Sequence, residues 1–514
     1  MAFALILPLL AAFPQDVLHR FDGSSDLELY GRGMASMPDF DGDGHPDLLI
    51  GAARADFSAT DGGRVEIRSS THGGILQTIH GHTANTWLGF SVVSCGDLNA
   101  DGTPDIIAGA VNDSSGGAGS GAVHAFSGAT GHELWMTPGQ VGGHCGYSMA
   151  NVGDLDADGV ADVLVGAPWA VHNGVTGGNA HVLSGATGAM IRLHIGTVEE
   201  MEFGQSVCAL DDFDADGISD YAVGGHFDDT GNLRAGSVSI YSGASGNLIR
   251  THRGAYPKAY VGNGIAGTND LDGDGVGEIL VGAPGSQYWG KVHVFSGATG
   301  AELFLFESDI QNERFGNRVA AADVNGDGLD DFIIAARYAN QETGRVVVYS
   351  GADGRMLSQM HGHGPGSRFG QGVVGVGDTN GDGSEEWLAW SAWESVLAHQ
   401  AGQVTLHSGS PMHTTQVHNL VAGSMVTAVV GGCAPGASVL LAWSLRGAGP
   451  LPSVWGSVSL SAPLTQLPTA HADAQGEAHW STPVPAGMAG TQVWVQGVDL
   501  TAGVLTQALH ATVQ

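Results

Sequence analysis

The sequence predicts an all-β chain: a seven-bladed β-propeller whose N-terminal strand closes blade seven, followed by a small C-terminal β-sandwich. Three observations predict it. An acidic loop returns seven times, at intervals of 53 to 58 residues. The same short apolar runs surround each copy in the same order. No stretch carries the long 3.6-residue apolar period of a helix. Self-similarity at a fixed period marks a repeat architecture, in which each unit buries its faces only against its neighbours.

The acidic loops open at Asp39, Asp97, Asp154, Asp212, Asp270, Asp323 and Asp378. Nine residues before six of them stands an aromatic- or apolar-Gly pair: Tyr30-Gly31, Leu88-Gly89, Cys145-Gly146, Phe203-Gly204, Val261-Gly262 and Phe369-Gly370. Phe315-Gly316 comes eight residues before its loop. After each loop a short strand ends in a turn, as in DVLVGAP (162–168) and EILVGAP (278–284). A GxVxV strand follows, then a turn such as SGATG at Ser127, Ser184 and Ser296, then a fourth strand. Four short strands per unit make one propeller blade.

Closure follows from the two ends of the array. The seventh copy stops after its third strand, near Ser408–Ser410. Val17–Gly23 matches the fourth strand of the first repeat, Ile75–Gly81, in the same register to the next aromatic- or apolar-Gly pair. The N-terminal strand is therefore expected to complete blade seven and remove two sheet edges.

Each loop places oxygen-bearing side chains at positions 1, 3, 5 and 9. They are Asp39, Asp41, Asp43 and Asp47; Asp97, Asn99, Asp101 and Asp105; Asp154, Asp156, Asp158 and Asp162; and Asp212, Asp214, Asp216 and Asp220. The last three sets are Asp270, Asp272, Asp274 and Glu278; Asp323, Asn325, Asp327 and Asp331; and Asp378, Asn380, Asp382 and Glu386. Position 6 is always glycine, and position 7 varies freely, as it does when its carbonyl rather than its side chain is the ligand. Ca²⁺ takes six to eight hard oxygens on such a sharply turned loop, whereas zinc asks for His or Cys. An EF-hand would continue into a helix, but Ile50 at position 12 of the first loop lies in a strand. Up to seven structural Ca²⁺ ions are expected, and they would bring the formal charge of −34 to about −20.

The order of aromatic-Gly pair, DxDxDG loop and GAP-like turn resembles the FG-GAP repeat of integrin α-subunit propellers and of many bacterial secreted proteins. The resemblance covers roughly residues 15–412. It implies a propeller with calcium in the hairpins between the first two strands of each blade. The aromatic of the pair has drifted in repeats 2, 3 and 5, and the GAP turn in repeats 4, 6 and 7.

In an up-and-down blade the calcium loops and the SGATG turns share one face. The loops between strands 2 and 3 and the blade linkers emerge on the other, and they differ in every copy. Variable loops on a rigid scaffold are where binding resides. The candidate ligand face holds Trp87, Trp169, Tyr288, Trp289, Arg337, Tyr338 and Trp393. An extracellular protein or glycan ligand is the expected partner. With 52 Asp+Glu against 18 Lys+Arg, nucleic-acid binding is disfavoured. No HExxH, GxSxG or P-loop motif occurs, so the chain is read as a binding or adhesion module and not an enzyme. The alternatives are a polysaccharide-active enzyme using the variable face and a structural envelope or matrix component.

Residues 1–14 read as a signal peptide, too short to span a bilayer, and no other segment is apolar enough to do so. Secretion, or a cell-surface or periplasmic location, follows. Residues 15–412 form the propeller and 413–514 the sandwich-like domain, where apolar runs alternate with turn signals. Cys95, Cys145, Cys208 and Cys433 are read as unpaired thiols.

Overall fold

The computed structural model describes residues 17–409 except 58 and 395–399. It also describes 414–513 except 419–420, 423, 432–435, 446–450, 454–455, 459–464, 474–477, 501–503 and 506–508. Residues 1–14, expected to be a signal peptide, and Cys433 lie outside the described residues. The chain divides into two compact units, the first comprising Met1–Val324 and Gly328–Gly409 and the second Asn325–Asp327 and Ser410–Gln514. Among the described residues no helix is long and apolar enough to cross a membrane.

The first unit is seven four-stranded antiparallel sheets, a seven-bladed β-propeller. In blade one the strands are Tyr30–Met37, Asp47–Ala52, Arg64–Arg68 and Ile75–His80, paired in chain order. The first strands of successive blades contact one another all the way round, the last (Phe369–Gly377) returning to the first (Tyr30–Met37). Blade seven takes its fourth strand from the other end of the chain: Val17–Asp22 pairs with Gln403–His407, with Phe21 opposite Val404. Two backbone hydrogen bonds sit at this closure, Tyr30 N–H to Ala401 C=O and Gly23 N–H to Gly402 C=O, both 2.9 Å.

The second strand of each blade is a continuous apolar run because both its faces are covered. Successive side chains of a strand point to opposite faces. Thus Ile279 and Val281 of the fifth blade pack toward blade four, and Leu280 between them packs toward blade six. Likewise Leu48 and Ile50 meet Leu388, Trp390 and Phe21 of blade seven, while Leu49 meets Leu88, Val92 and Ile106 of blade two. The hydrophobic cores therefore lie between blades. Cys95, Cys145 and Cys208 belong to these cores as unpaired thiols, and burial pushes each up to about 12.

In the second unit, Thr414–His418, Met425–Gly431 and Ala478–Pro483 form one sheet. Ser438–Ser444 and Gln492–Asp499 are the centre of another. Val430 and Trp480 from the first sheet share a single core with Val439, Leu441 and Val495 from the second. Two sheets over one core make a β-sandwich.

Candidate functional site: acidic loops at one end of the blades, an aromatic and arginine mouth at the other

Each acidic loop is built by hydrogen bonds from its own backbone. In all seven, the N–H of the position-6 glycine donates to the position-1 aspartate, at 2.7 to 3.0 Å. Those glycines have φ between +87° and +93°, a region where a Cβ is strained, and that conformation turns the N–H inward.

The position-9 carboxylate is fully buried in every blade. In every blade but the fifth it joins two hairpins. In blade two, Asp105 Oδ2 accepts from Leu98 N–H inside the acidic loop and Oδ1 accepts from Gly128 N–H in the turn between strands 3 and 4, both at 2.8 Å. Asp162 and Asp220 repeat the pattern with Gly185 and Gly243, and Glu386 with Gly409. The turn also reaches position 5: Ser242 Oγ donates to Asp216 at 3.1 Å and Thr71 Oγ1 to Asp43 at 2.6 Å. Acidic loops and turns thus share one end of the blades.

Four loops bring carboxylate oxygens within 4.8 Å of one another: Asp39, Asp41 and Asp43; Asp154, Asp156 and Asp162; Asp212, Asp214 and Asp220; and Asp270, Asp272, Asp274 and Glu278. The other three carry Asn99, Asn325 or Asn380 at position 3 and so have fewer carboxylates to gather. Burial and the neighbouring aspartates push Asp220 up to about 6 and Glu278 up to about 7. Glu278 Oε1 is buried with no hydrogen-bond donor. An orphaned buried carboxylate oxygen in a set of oxygen donors fits a hard divalent cation, which these residues could hold.

The opposite end is organised by the aromatic-Gly pairs. The residue before each pair has a left-handed backbone in all seven blades: Leu29, Trp87, His144, Glu202, Tyr260, Arg314 and Arg368, with φ from 51° to 62°. The residue after each pair lies in the inner strand or within two residues of its start; in blades one to three these are Arg32, Phe90 and Tyr147. An open depression of about 400 Å³ lies here, lined by Trp87, Phe90, Val111, Gly142, His144, Tyr147 and Trp169. Trp169 meets Tyr147 edge-on at 5.2 Å and His144 at 5.1 Å. Its indole N–H donates to Glu202 at 3.3 Å, a carboxyl that burial pushes upward. The guanidinium of Arg32 stacks 3.7 Å over the Phe90 ring.

Of the residues expected on this face, Trp87 and Trp169 meet in one depression. Arg337, Tyr338 and Trp393 form a second group through Arg368, which stacks 3.9 Å over Trp393 and 5.2 Å over Tyr338 and is held by Glu342 at 2.7 Å. Arg337 lies 4.9 Å from the Tyr338 ring. Trp289 is 37% exposed and joins neither group, and the Tyr288 side chain lies outside the described residues. Sequence reasoning missed Arg32, Phe90, His144, Tyr147, Arg314, Arg318 and Arg368. For all but Arg318 the signal was the place next to each aromatic-Gly pair, where residue type changes from copy to copy.

The FG-GAP repeat model matches residues 146–183, 261–295 and 315–349, and the FG-GAP-like repeat model matches 39–108. The chain is 29% identical to integrin alpha-5 of Xenopus laevis over 218 residues, 39% of this chain and 20% of that protein. It is 32% identical to integrin alpha-2 of Mus musculus over 170 residues, 29% and 14% of the two chains. To integrin alpha pat-2 of Caenorhabditis briggsae it is 32% identical over 224 residues, 36% and 18%. The chain thus spans a fifth or less of the length of these relatives. The chain thus carries FG-GAP repeats over these residues, is similar to integrin α subunits over part of its length, and folds as a seven-bladed β-propeller.

Proposed function

We propose that the protein is an extracellular binding or adhesion module, a calcium-stapled propeller that holds a protein or glycan ligand on the face opposite its acidic loops. The observation that carries this is the separation of the two ends. One end repeats nearly the same hydrogen-bonded loop seven times, whereas the other presents different aromatic and cationic side chains in each blade. In this reading, calcium sits at positions 1, 3, 5 and 9 of each loop, from Asp39, Asp41, Asp43 and Asp47 in the first to Asp378, Asn380, Asp382 and Glu386 in the last. The ions serve the fold and not the ligand. The chain is secreted or held at the cell surface or in the periplasm, its first 14 residues serving as the export signal, and its binding is not accompanied by catalysis. The domain limits 15–412 and 413–514 complete the reading.

The experiment is an array of extracellular-matrix proteins and glycans, probed with calcium-loaded protein and with the Trp169→Ala and Trp393→Ala variants. Capture that both the loss of calcium and a tryptophan substitution abolish is the expected result. Absence of capture, or capture indifferent to both tryptophans, overturns the reading.

A further inference from the structure

We propose that the arginine-lined mouth of the ligand face binds an acidic oligosaccharide, its arginines holding uronate carboxylates while Trp87, Phe90, Tyr147 and Trp169 pack on the sugar rings. The inference rests on the binding reading above and names its ligand class.

Acidic residues outnumber basic ones 52 to 18. Arg54, Arg64, Arg68, Arg234, Lys291, Arg345 and Arg368 each have a carboxylate partner. Among the described residues eight basic side chains have none within 4.0 Å: Arg20, Arg192, Arg250 and Lys258 are four of them, and Arg32, Arg314, Arg318 and Arg337, which gather at the mouth, are the other four. Arg32 follows the pair of blade one, Arg314 precedes that of blade six, Arg318 opens the inner strand there, and Arg337 follows the second strand.

These charges act on one another. Burial lowers Arg32, Arg318 and Arg337 from the usual guanidinium range; Arg337 adds to the effect on Arg32, Arg32 to that on Arg318, and Arg318, Arg314 and Arg368 to that on Arg337. Their side chains remain partly exposed, and Arg32 joins them to the aromatic depression, its guanidinium 3.7 Å from the Phe90 ring and 5.4 Å from the Tyr147 ring. Their donors are underused. Arg318 donates only to the carbonyls of Asn263 (3.0 Å) and Asn317 (2.9 Å) and, at 3.5 Å, to the Asn263 amide oxygen. Arg337 Nε is buried without an acceptor. Gathering like charges in a partly desolvated site is unfavourable until an anion joins them, and the guanidinium fork matches a carboxylate bidentately.

A uronate fits both halves of the site. It carries a carboxylate and a ring in the same residue, while an aspartate or glutamate side chain has no use for four aromatic walls. The inner positions of the other blades add amides, Gln205, Asn263 and Gln371, that can both donate to and accept from hydroxyls.

The test is calorimetry on the full calcium-loaded chain with three probes: a glucuronate-containing tetrasaccharide, its carboxyl-reduced counterpart and a tetraglutamate peptide. We expect the acidic sugar to bind at least about tenfold more tightly than either other probe. Arg32→Gln with Arg337→Gln should remove that preference, and raising salt should weaken the acidic sugar's binding to the unaltered protein, a reading that needs no variant to fold. Equal affinity for the reduced sugar, tighter binding of the peptide or indifference to salt overturns the proposal. If the acidic sugar fails while the array still shows capture dependent on Trp169, the binding reading stands and this inference falls. If the array shows none, the reading itself falls.

Discussion

The backbone N–H of Gly128 donates to Asp105 at 2.8 Å, fastening the turn between the third and fourth strands of blade two to the acidic loop between its first and second. The carboxylate has two duties, ordering two hairpins and facing the loop's other oxygens, and they separate by mutation. Asp105→Ala is expected to cost on the order of 3 kcal/mol even in chelator, since buried N–H groups lose a charged acceptor. Asp156→Ala, at an exposed position 3, should leave the chelated protein unchanged and reduce only the stabilisation that calcium adds. Urea unfolding of both variants with calcium and with chelator checks this, and equal loss in chelator would contradict it.

The calcium increment should depend on pH. Burial pushes Asp220 up to about 6, and Glu278 and Glu386 up to about 7. A proton held there must leave before a cation can bind, so metal affinity falls as pH falls through that range. The rise in melting temperature on adding calcium should be larger at pH 7.5 than at pH 5, and proton release should be detectable by calorimetry in two buffers near pH 6.5. An increment independent of pH would argue against metal at the buried position.

His407 predicts acid sensitivity of another origin. Its ring is buried, stacks 4.3 Å from Trp387 and lies 2.7 Å from Thr405 Oγ1. Burial lowers it to about 3, with the charges of His363 and Arg20 adding to the effect. The unfolded chain, with an ordinary imidazole near 6.5, binds a proton that the folded chain refuses, so stability falls as pH drops from about 6.5 toward 3. His407→Gln should flatten that slope by up to about 1.4 kcal/mol per pH unit between pH 6 and 4. Urea titrations of the two proteins in chelator measure it.

Loss of the closing strand should be costly. Phe21 is 4% exposed and packs in the core shared by blades seven and one. Phe21→Ala is expected to cost about 3 kcal/mol. Deleting residues 1–22 uncovers the edge of Gln403–His407, which should recruit a second chain and appear as dimers or larger species in size-exclusion chromatography. A monomeric, fully stable deletion would show that the ring does not need its clasp.

The propeller was legible because its instructions are local and repeated. Asp212 to Asp220 specify a loop on their own, and the copies confirm one another; Val17–Asp22 declares itself by matching Ile75–His80. The mouth was legible only in part. Trp87 and Trp169 stood out as large aromatics in variable loops, but the depression they share also needs Phe90, in an inner strand, and Tyr147, just before one. Arg32, Arg318 and Arg337 come together only through closure of the ring, which sets blade one beside blade seven, whose other neighbour is blade six. Nothing local in those stretches announces a shared electrostatic site.

The left-handed backbone before every aromatic-Gly pair has a consequence for how such a protein diversifies. Leu, Trp, His, Glu, Tyr and Arg all occupy that position with φ within a span of 51° to 62°. The main-chain pose is thus set by the surrounding hairpins and is insensitive to the residue that occupies it. Each blade offers an interchangeable socket, so the specificity of the rim can be rewritten one residue at a time while the barrel of sheets beneath it stays as it is.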